Sequence, residues 1–289
     1  MSGGLVDQRR FSGRGVLVTG GSIGIGAAIL RRFVDEGARV VFCGRNETAG
    51  RAFAASLGEA VRFVPADVTR TEDVTRLVQQ AAEWLGRIDA LVNNAAAPPP
   101  DVPVERISAE ALPGHMASVL GSVILMTSAV VPQMKQQGGG VIINIGSTAA
   151  HRAHSSSSVY SALKAAVCHF TRCTALELAE HGIRVNTVSP GAIPTAIFAK
   201  KAGIAEAHHA AAVERLESVF AQHIPLGRAG RGEDVAEAVA LLAADTAGFI
   251  TGQDLVVDGG LTAGLSPAGK RAQAAAVRGA LSPFLPPAS

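Results

Sequence analysis

The sequence predicts a doubly wound α/β fold, one seven-stranded parallel sheet with helices on both faces. Short β-branched runs alternate with longer stretches of helical period, the pattern of repeated βαβ units. A glycine-rich segment, Thr19-Gly20-Gly21-Ser22-Ile23-Gly24-Ile25-Gly26, follows the first run and opens the first helix, the context of a phosphate-binding turn. The chain of 289 residues is 48% hydrophobic and 17% charged, long enough for a large core yet within the reach of one α/β domain.

In chain order, strands are predicted at Gly15–Thr19, Arg39–Cys43, Val61–Pro65, Ala90–Val92, Val141–Ile145, Arg184–Val188 and Leu255–Val257. The first helix places Ile25, Ala28, Ile29 and Phe33 on one face and stops at Gly37. Further helices are predicted at Thr71–Leu85, Leu112–Gln136, Val159–Glu180, Ala205–Gln222 and Glu233–Leu242. Residues 1–260 are expected to form a single dinucleotide-binding and catalytic domain. Within it the long irregular stretch 192–231 reads as a substrate lid. Residues 261–289, rich in Ala, Pro, Gly and Ser, read as a tail, partly disordered or lying on a neighbouring subunit.

Charge names no partner: 26 Lys and Arg against 24 Asp and Glu leave +2, too weak a field to predict nucleic acid or an anionic membrane. Cys43, Cys168 and Cys173 form no paired framework, which fits a reducing cytoplasm. The first fourteen residues lack an apolar run, so no secretory signal is expected. Met116–Met134 is uncharged but interrupted by Ser, Gly, Thr, Pro and Gln, and reads as a buried helix, with no membrane partner expected. Aromatic residues are only 4% of the chain, and Tyr160 is the single tyrosine.

The glycine turn has a chemical reading. Gly20 and Gly24 let the backbone approach a pyrophosphate, Gly26 lets helix and strand pack closely, and the helix N-terminus offers free N–H groups to the anion. Ser22, Ile23 and Ile25 lie in the same turn and join the expected cofactor contacts. At the end of the second strand, where an NAD site carries an acidic residue, stand Gly44 and Arg45. A guanidinium pairs bidentately with a 2′-phosphate, so NADP is the expected cofactor, with NAD as the alternative if Arg45 is a solvated residue or stacks on the adenine.

Together these motifs resemble the short-chain dehydrogenase/reductase superfamily from about Phe11 to Gly260, in the expected order. The glycine turn comes first. Asp67-Val68 is similar to the pair beside the adenine. Asn93-Asn94-Ala95-Ala96 is similar to the family's NNAG, with Ala96 in place of Gly. Tyr160 and Lys164 match YxxxK, and Ser147 precedes Tyr160 by thirteen positions. Pro190-Gly191 with Ile193 and Thr195 is similar to the segment that holds the nicotinamide carboxamide, and Asp258-Gly259-Gly260 to the end of the core. The resemblance implies a Rossmann-type fold and cofactor contacts from Asp67, Val68, Asn93, Ala95, Tyr160, Lys164, Pro190, Gly191, Ile193 and Thr195. It also implies a homotetramer or homodimer.

Tyr160 and Lys164, four residues apart on one helix, share a face, and a nearby ammonium is expected to lower the phenol's pKa towards a usable general acid or base. Ser147, at the end of the fifth strand, would orient the substrate oxygen, and a small carbonyl or alcohol is the expected substrate. The competing readings are a surface Tyr with a solvated Lys, a strand-end cap at Ser147, a turn role for Asn93 and a helix cap at Asp67. Family members usually carry an asparagine in the helix before the serine strand; here its place is expected at Val119, with Ser118 the nearby polar substitute. Val119 and Ala96 are the support for a second function, a dinucleotide-binding sensor or scaffold without turnover. His208 and His209 lack a carboxylate at ligand spacing and no metal is expected; His151 and His154 follow Ser147 and are expected near the substrate or in a loop role.

Overall fold

The structure is a computed structural model describing residues 9–153 and 155–284, so His154 lies outside the described residues. The strands are β1 (Gly15–Thr19), β2 (Arg39–Gly44), β3 (Val61–Pro65), β4 (Ala90–Asn93), β5 (Gly140–Ile145), β6 (Ile183–Pro190) and β7 (Asp254–Val257). Each lies within two residues of its predicted bounds. They pair in parallel in the order β3-β2-β1-β4-β5-β6-β7.

The helices are α1 (Gly24–Asp35), α2 (Glu47–Leu57), α3 (Thr71–Leu85), α4 (Leu112–Met116), α5 (Ser122–Gln136), α6 (Ser158–Leu178), α7 (Ala196–Lys201), α8 (His209–Ala221), α9 (Gly232–Ala243) and α10 (Pro267–Leu281). Alternation along the strands divides the core. Val16, Val18, Val40, Phe42 and Ile143 face α1 and α9, whereas Leu17, Val41, Leu91 and Ile142 face α3, α5 and α6. Burial on both faces explains why the strands are almost continuously apolar.

Helices α2, α7 and α10 differ from expectation. Helix α2 was not predicted because it has almost no apolar stripe: its buried residue is Gly50, where a Cβ would lie 2.3 Å from Phe63 Cε2. Its start is set locally, by Asn46 Oδ1 accepting the Ala49 N–H at 3.0 Å. The predicted tail contains α10, begun by Ser266 Oγ accepting from Gly269 N at 3.0 Å and by Pro267 at the first helical position. The helix predicted over 112–136 runs its full length, with a π-helical turn at Ala117–Gly121 inside it. That whole segment is long and apolar enough to cross a membrane by length and composition, yet Val119, Val123, Met126, Val130 and Met134 along it are buried within the fold.

Gly26 sets the closeness of α1 to β1. A Cβ there would stand 2.1 Å from the Gly20 carbonyl oxygen and 2.5 Å from Asn94 Nδ2. Because the first obstacle is backbone, Gly26→Ala is expected to destabilise the chain by about 2–3 kcal/mol, as overpacking of a tight site does. Gly114→Ala, in α4 with nothing within 4 Å, is expected to be neutral or slightly stabilising. Urea midpoints of the two variants test this; equal midpoints would refute the packing argument.

Candidate active site

The C-terminal ends of β1 and β4 border the crevice where the strand order reverses, the place where open α/β sheets bind ligands. On one side lies the glycine turn, with Gly20 at φ +67° and Gly24 at φ +56°. The loop after β4 grips it: Asn94 Nδ2 donates to the carbonyls of Thr19 and Gly20 at 3.0 and 2.8 Å, and Thr19 Oγ1 accepts from the amides of Asn94 and Ala95. A Cβ at Gly20 would lie 2.9 Å from Ala95 Cα, so Ala95 is packed directly on the turn. Ile23, the residue before α1, gives the helix no side-chain cap, which leaves its first amides to another acceptor. Ile25 follows in its first turn, and Gly24 approaches Thr195, whose Cγ2 would stand 3.2 Å from an added Cβ. Uncapped amides and a glycine cradle fit a pyrophosphate.

Beside the turn, the end of β2 runs past Ser22, with Gly44 next to it. Gly44, Arg45, Pro65, Ala66, Asp67, Asp73 and Arg76 line a shallow depression of about 310 Å³. Asp67 accepts from Thr69 N and Oγ1 through Oδ1 at 3.0 and 2.7 Å, so it has a turn-forming role as well as a place in this depression. Val68, next to it, is buried. Arg76 was not singled out in the sequence; it reaches the depression because α3 folds back on β3, where its guanidinium meets Asp73 at 2.8 Å and the Pro65 carbonyl at 3.0 Å.

Across the crevice, Ser147 follows β5 and Tyr160 and Lys164 lie on α6. The Ser157 hydroxyl caps that helix by accepting from Tyr160 N at 3.3 Å. The Ser147 hydroxyl stands near enough to the Tyr160 phenol to favour its anion. Lys164 is 3% exposed; its Nζ donates to the Ile145 carbonyl at 2.6 Å and stands 5.7 Å from the Tyr160 ring centroid. Serine, tyrosine and lysine are thus brought together, as the resemblance implies.

The electrostatics differ from expectation. Burial pushes the Tyr160 phenol above its ordinary value, opposed by the nearby Ser147 hydroxyl, and Lys164 does not lower it. Burial also brings the Lys164 ammonium down to about 8. Desolvation penalises both charged forms, and the ammonium spends its nearest contact on a carbonyl rather than on the phenol.

Two further predicted positions are set by their neighbours. Asn93 Nδ2 donates to Asn144 Oδ1 at 2.9 Å; Asn144 donates to Thr171 Oγ1 at 2.9 Å, and Thr187 to the same oxygen at 2.8 Å. This buried polar chain ties β4, β5, α6 and β6 together, while Asn93 Oδ1 is left without a partner among the described residues. Val119 is fully buried, whereas Ser118 Oγ accepts the Ala97 N–H at 2.8 Å. Ser118, not Val119, is therefore the polar side chain that the π-helical turn presents to the loop after β4.

The remaining predicted residues cluster at the same edge. Pro190 ends β6, and Gly191 N donates to the Val257 carbonyl at 2.9 Å. A Cβ at Gly191 would stand 2.7 Å from Asp258 Cβ, and one at Gly230 2.3 Å from the buried Ile193 Cδ1. Helices α7 and α8 meet through Phe198 and Phe220, ring centroids 5.5 Å apart, and expose Ile197, Phe198 and Val219. His208 precedes α8, and His209 hydrogen-bonds the Ile204 carbonyl. A larger cavity, about 510 Å³, lies at the opposite end of the sheet between Arg14, Arg87, Asp89 and Arg184. Its arginines are engaged by Asp89, Asp245 and main-chain carbonyls, and it holds none of the residues above.

Comparison with known proteins agrees with this geometry. The model of a family described as enoyl-(acyl carrier protein) reductase matches residues 20–262. A solved short-chain type dehydrogenase/reductase from Mycobacterium ulcerans superposes with a TM-score of 0.79 at 32% identity, covering 89% of this chain and 92% of that one. The chain belongs to the short-chain dehydrogenase/reductase family. This short-chain dehydrogenase/reductase is 41% identical to the L-fucose dehydrogenase of Mus musculus over 256 residues, 88% of this chain and 90% of that protein. It is 38% identical to the glucose 1-dehydrogenase of Gluconobacter oxydans (strain 621H), over 88% of this chain and 93% of that protein. It is an NAD(P)-dependent oxidoreductase of CH–OH and C=O groups.

Proposed function

We propose that the chain interconverts a secondary alcohol and a ketone with NADP, using Tyr160 as general acid and base. The observation that carries this reading is the convergence of Ser147 and Tyr160, with Lys164 one helical turn further on, opposite the uncapped glycine turn. In reduction Tyr160 donates its phenolic proton to the substrate oxygen, and Ser147 holds that oxygen in line. Lys164 anchors the cofactor ribose and the floor of the site. The bound nicotinamide supplies the hydride. Pyrophosphate falls to Gly20, Ser22, Ile23, Gly24 and Ile25, the adenine end to Asp67 and Val68, and the nicotinamide end to Ala95, Pro190, Gly191, Ile193 and Thr195. Asn93 completes the wall.

The apolar side chains exposed on α7 and α8 suit a lid over residues 192–231 that closes on the substrate. The named relatives make sugars with an oxidisable ring or chain hydroxyl the first substrates to assay. Exposed Met116 on α4, Ile124 on α5 and Leu176 on α6 support association of two or four copies through these helices.

Arg45 and Arg76 on the rim of the depression beside Gly44 favour a 2′-phosphate over a free hydroxyl. Arg45→Asp is expected to lower the ratio of kcat/KM for NADPH over NADH about tenfold or more, since one lost charge-assisted pair is worth about 1.4 kcal/mol or more. A ratio unchanged in this variant would remove the NADP assignment while leaving the catalytic one intact. Turnover of a panel of sugars and ketones, read at the nicotinamide absorbance band, tests the activity itself. Binding of cofactor without turnover of any of them would favour the sensor reading.

A further inference from the structure

We propose that His151, Cys168 and Asp254 form a binding site for one divalent cation of the zinc class, separate from the catalytic trio. The three residues come from distant parts of the chain: the loop after β5, the middle of α6 and the first residue of β7. Their ligating nitrogen, sulfur and oxygen atoms all lie within 4.8 Å of one another. Ligands of a tetrahedral zinc ion, with bonds of about 2.0–2.3 Å, stand roughly 3.3–3.8 Å apart, so contraction by about an ångström completes the site. His151 Nε2 and Asp254 Oδ2 are already 2.8 Å apart.

Buried polar atoms without partners point to the same spot. Asp254 Oδ1 and Ser189 Oγ are buried with no hydrogen-bond partner among the described residues. Ser189 is fully buried, and what both it and Asp254 have beside them is the Cys168 thiol, a weak donor that does not reach hydrogen-bond geometry with either orphaned oxygen. Buried polar groups in folded proteins are almost always satisfied, so orphaned oxygens beside a thiol and an imidazole mark a place for a ligand. The ion partner of Asp254 among the described residues is His151, with no arginine or lysine to neutralise it. Lys164, one turn before Cys168, is turned to the Ile145 carbonyl.

A nitrogen, sulfur and carboxylate donor set suits zinc or cobalt better than calcium or magnesium, which take oxygen alone. The His151 side chain is 36% exposed and opens a route from solvent, through which a water can take the fourth position. Binding exchanges the thiol proton for the metal and releases that proton to solvent. A nucleophilic role for Cys168 fits less well, because burial pushes its thiol up to about 12 and leaves it protonated at neutral pH.

The test uses the purified full chain, stripped with chelator and dialysed against zinc or cobalt salt alone. One ion retained per chain is expected, with a thiolate-to-cobalt charge-transfer band that Cys168→Ser abolishes. Zinc affinity should fall about tenfold or more in both His151→Ala and Asp254→Asn, with unchanged circular dichroism. Absence of stoichiometric metal overturns the proposal. So does a cobalt band that survives Cys168→Ser and disappears in Cys173→Ser, which would assign it to the exposed thiol. If Cys168→Ser does not fold, His151→Ala decides, and unchanged affinity in that variant refutes the site.

Discussion

Tyr160→Phe is expected to lower turnover by about 10²–10⁴-fold, the contribution of a positioned general acid or base, with cofactor affinity nearly unchanged. The substitution removes one oxygen near Ser147 and leaves the ring that stands beside Lys164. The direction of reaction sets the pH dependence. Because burial raises the phenol above its ordinary value, the neutral form that donates in reduction persists through neutral pH, whereas alcohol oxidation, which needs the phenolate, rises with pH. Tyr160 is the single tyrosine of the chain, so ultraviolet titration of the native protein reports it alone. Full turnover in Tyr160→Phe, or a phenol titrating below its ordinary value, contradicts this account.

Lys164→Met is expected to abolish turnover and yet stabilise the folded chain at neutral pH. The buried ammonium holds its proton only to about 8 in the folded protein, against 10.5 ordinarily. Between those values the unfolded chain binds more protons, so the stability of the native protein rises with pH across that window; below about 8 the penalty is present in full. The shift corresponds to about 3 kcal/mol, and losing the donor to the Ile145 carbonyl takes back about 1 kcal/mol, leaving a gain of about 2 kcal/mol. Urea unfolding at pH 7 and at pH 10 compares the two proteins. The native chain should gain on the variant as pH rises. A variant less stable at pH 7, with a parallel pH dependence, would show that the ammonium is not strained by burial.

Much of the site was legible because its parts are local. The glycine turn is a continuous segment between a strand and a helix, and Tyr160 and Lys164 share a face because four residues make about one helical turn. The strands were legible because burial on both faces leaves near-continuous apolar runs. Helices α2 and α10 were not, because small residues and terminal caps start them without an apolar stripe. The place expected for the asparagine, Val119, is buried, and Ser118, the polar substitute beside it, is the side chain that reaches Ala97 from the π-helical turn at Ala117–Gly121.

By itself the sequence determined the sheet, the glycine turn and the shared helix face of Tyr160 and Lys164, all of them properties of short windows and their order. The grouping of these two residues with Ser147 followed from the resemblance. Only the tertiary structure decided the signs of the pKa shifts at Tyr160 and Lys164, the hydrogen bond of Asn93 to Asn144, and the meeting of His151 with Cys168 and Asp254. Desolvation depends on everything packed around a group, and convergence depends on how distant strands stack. Neither is encoded in the spacing of neighbouring residues.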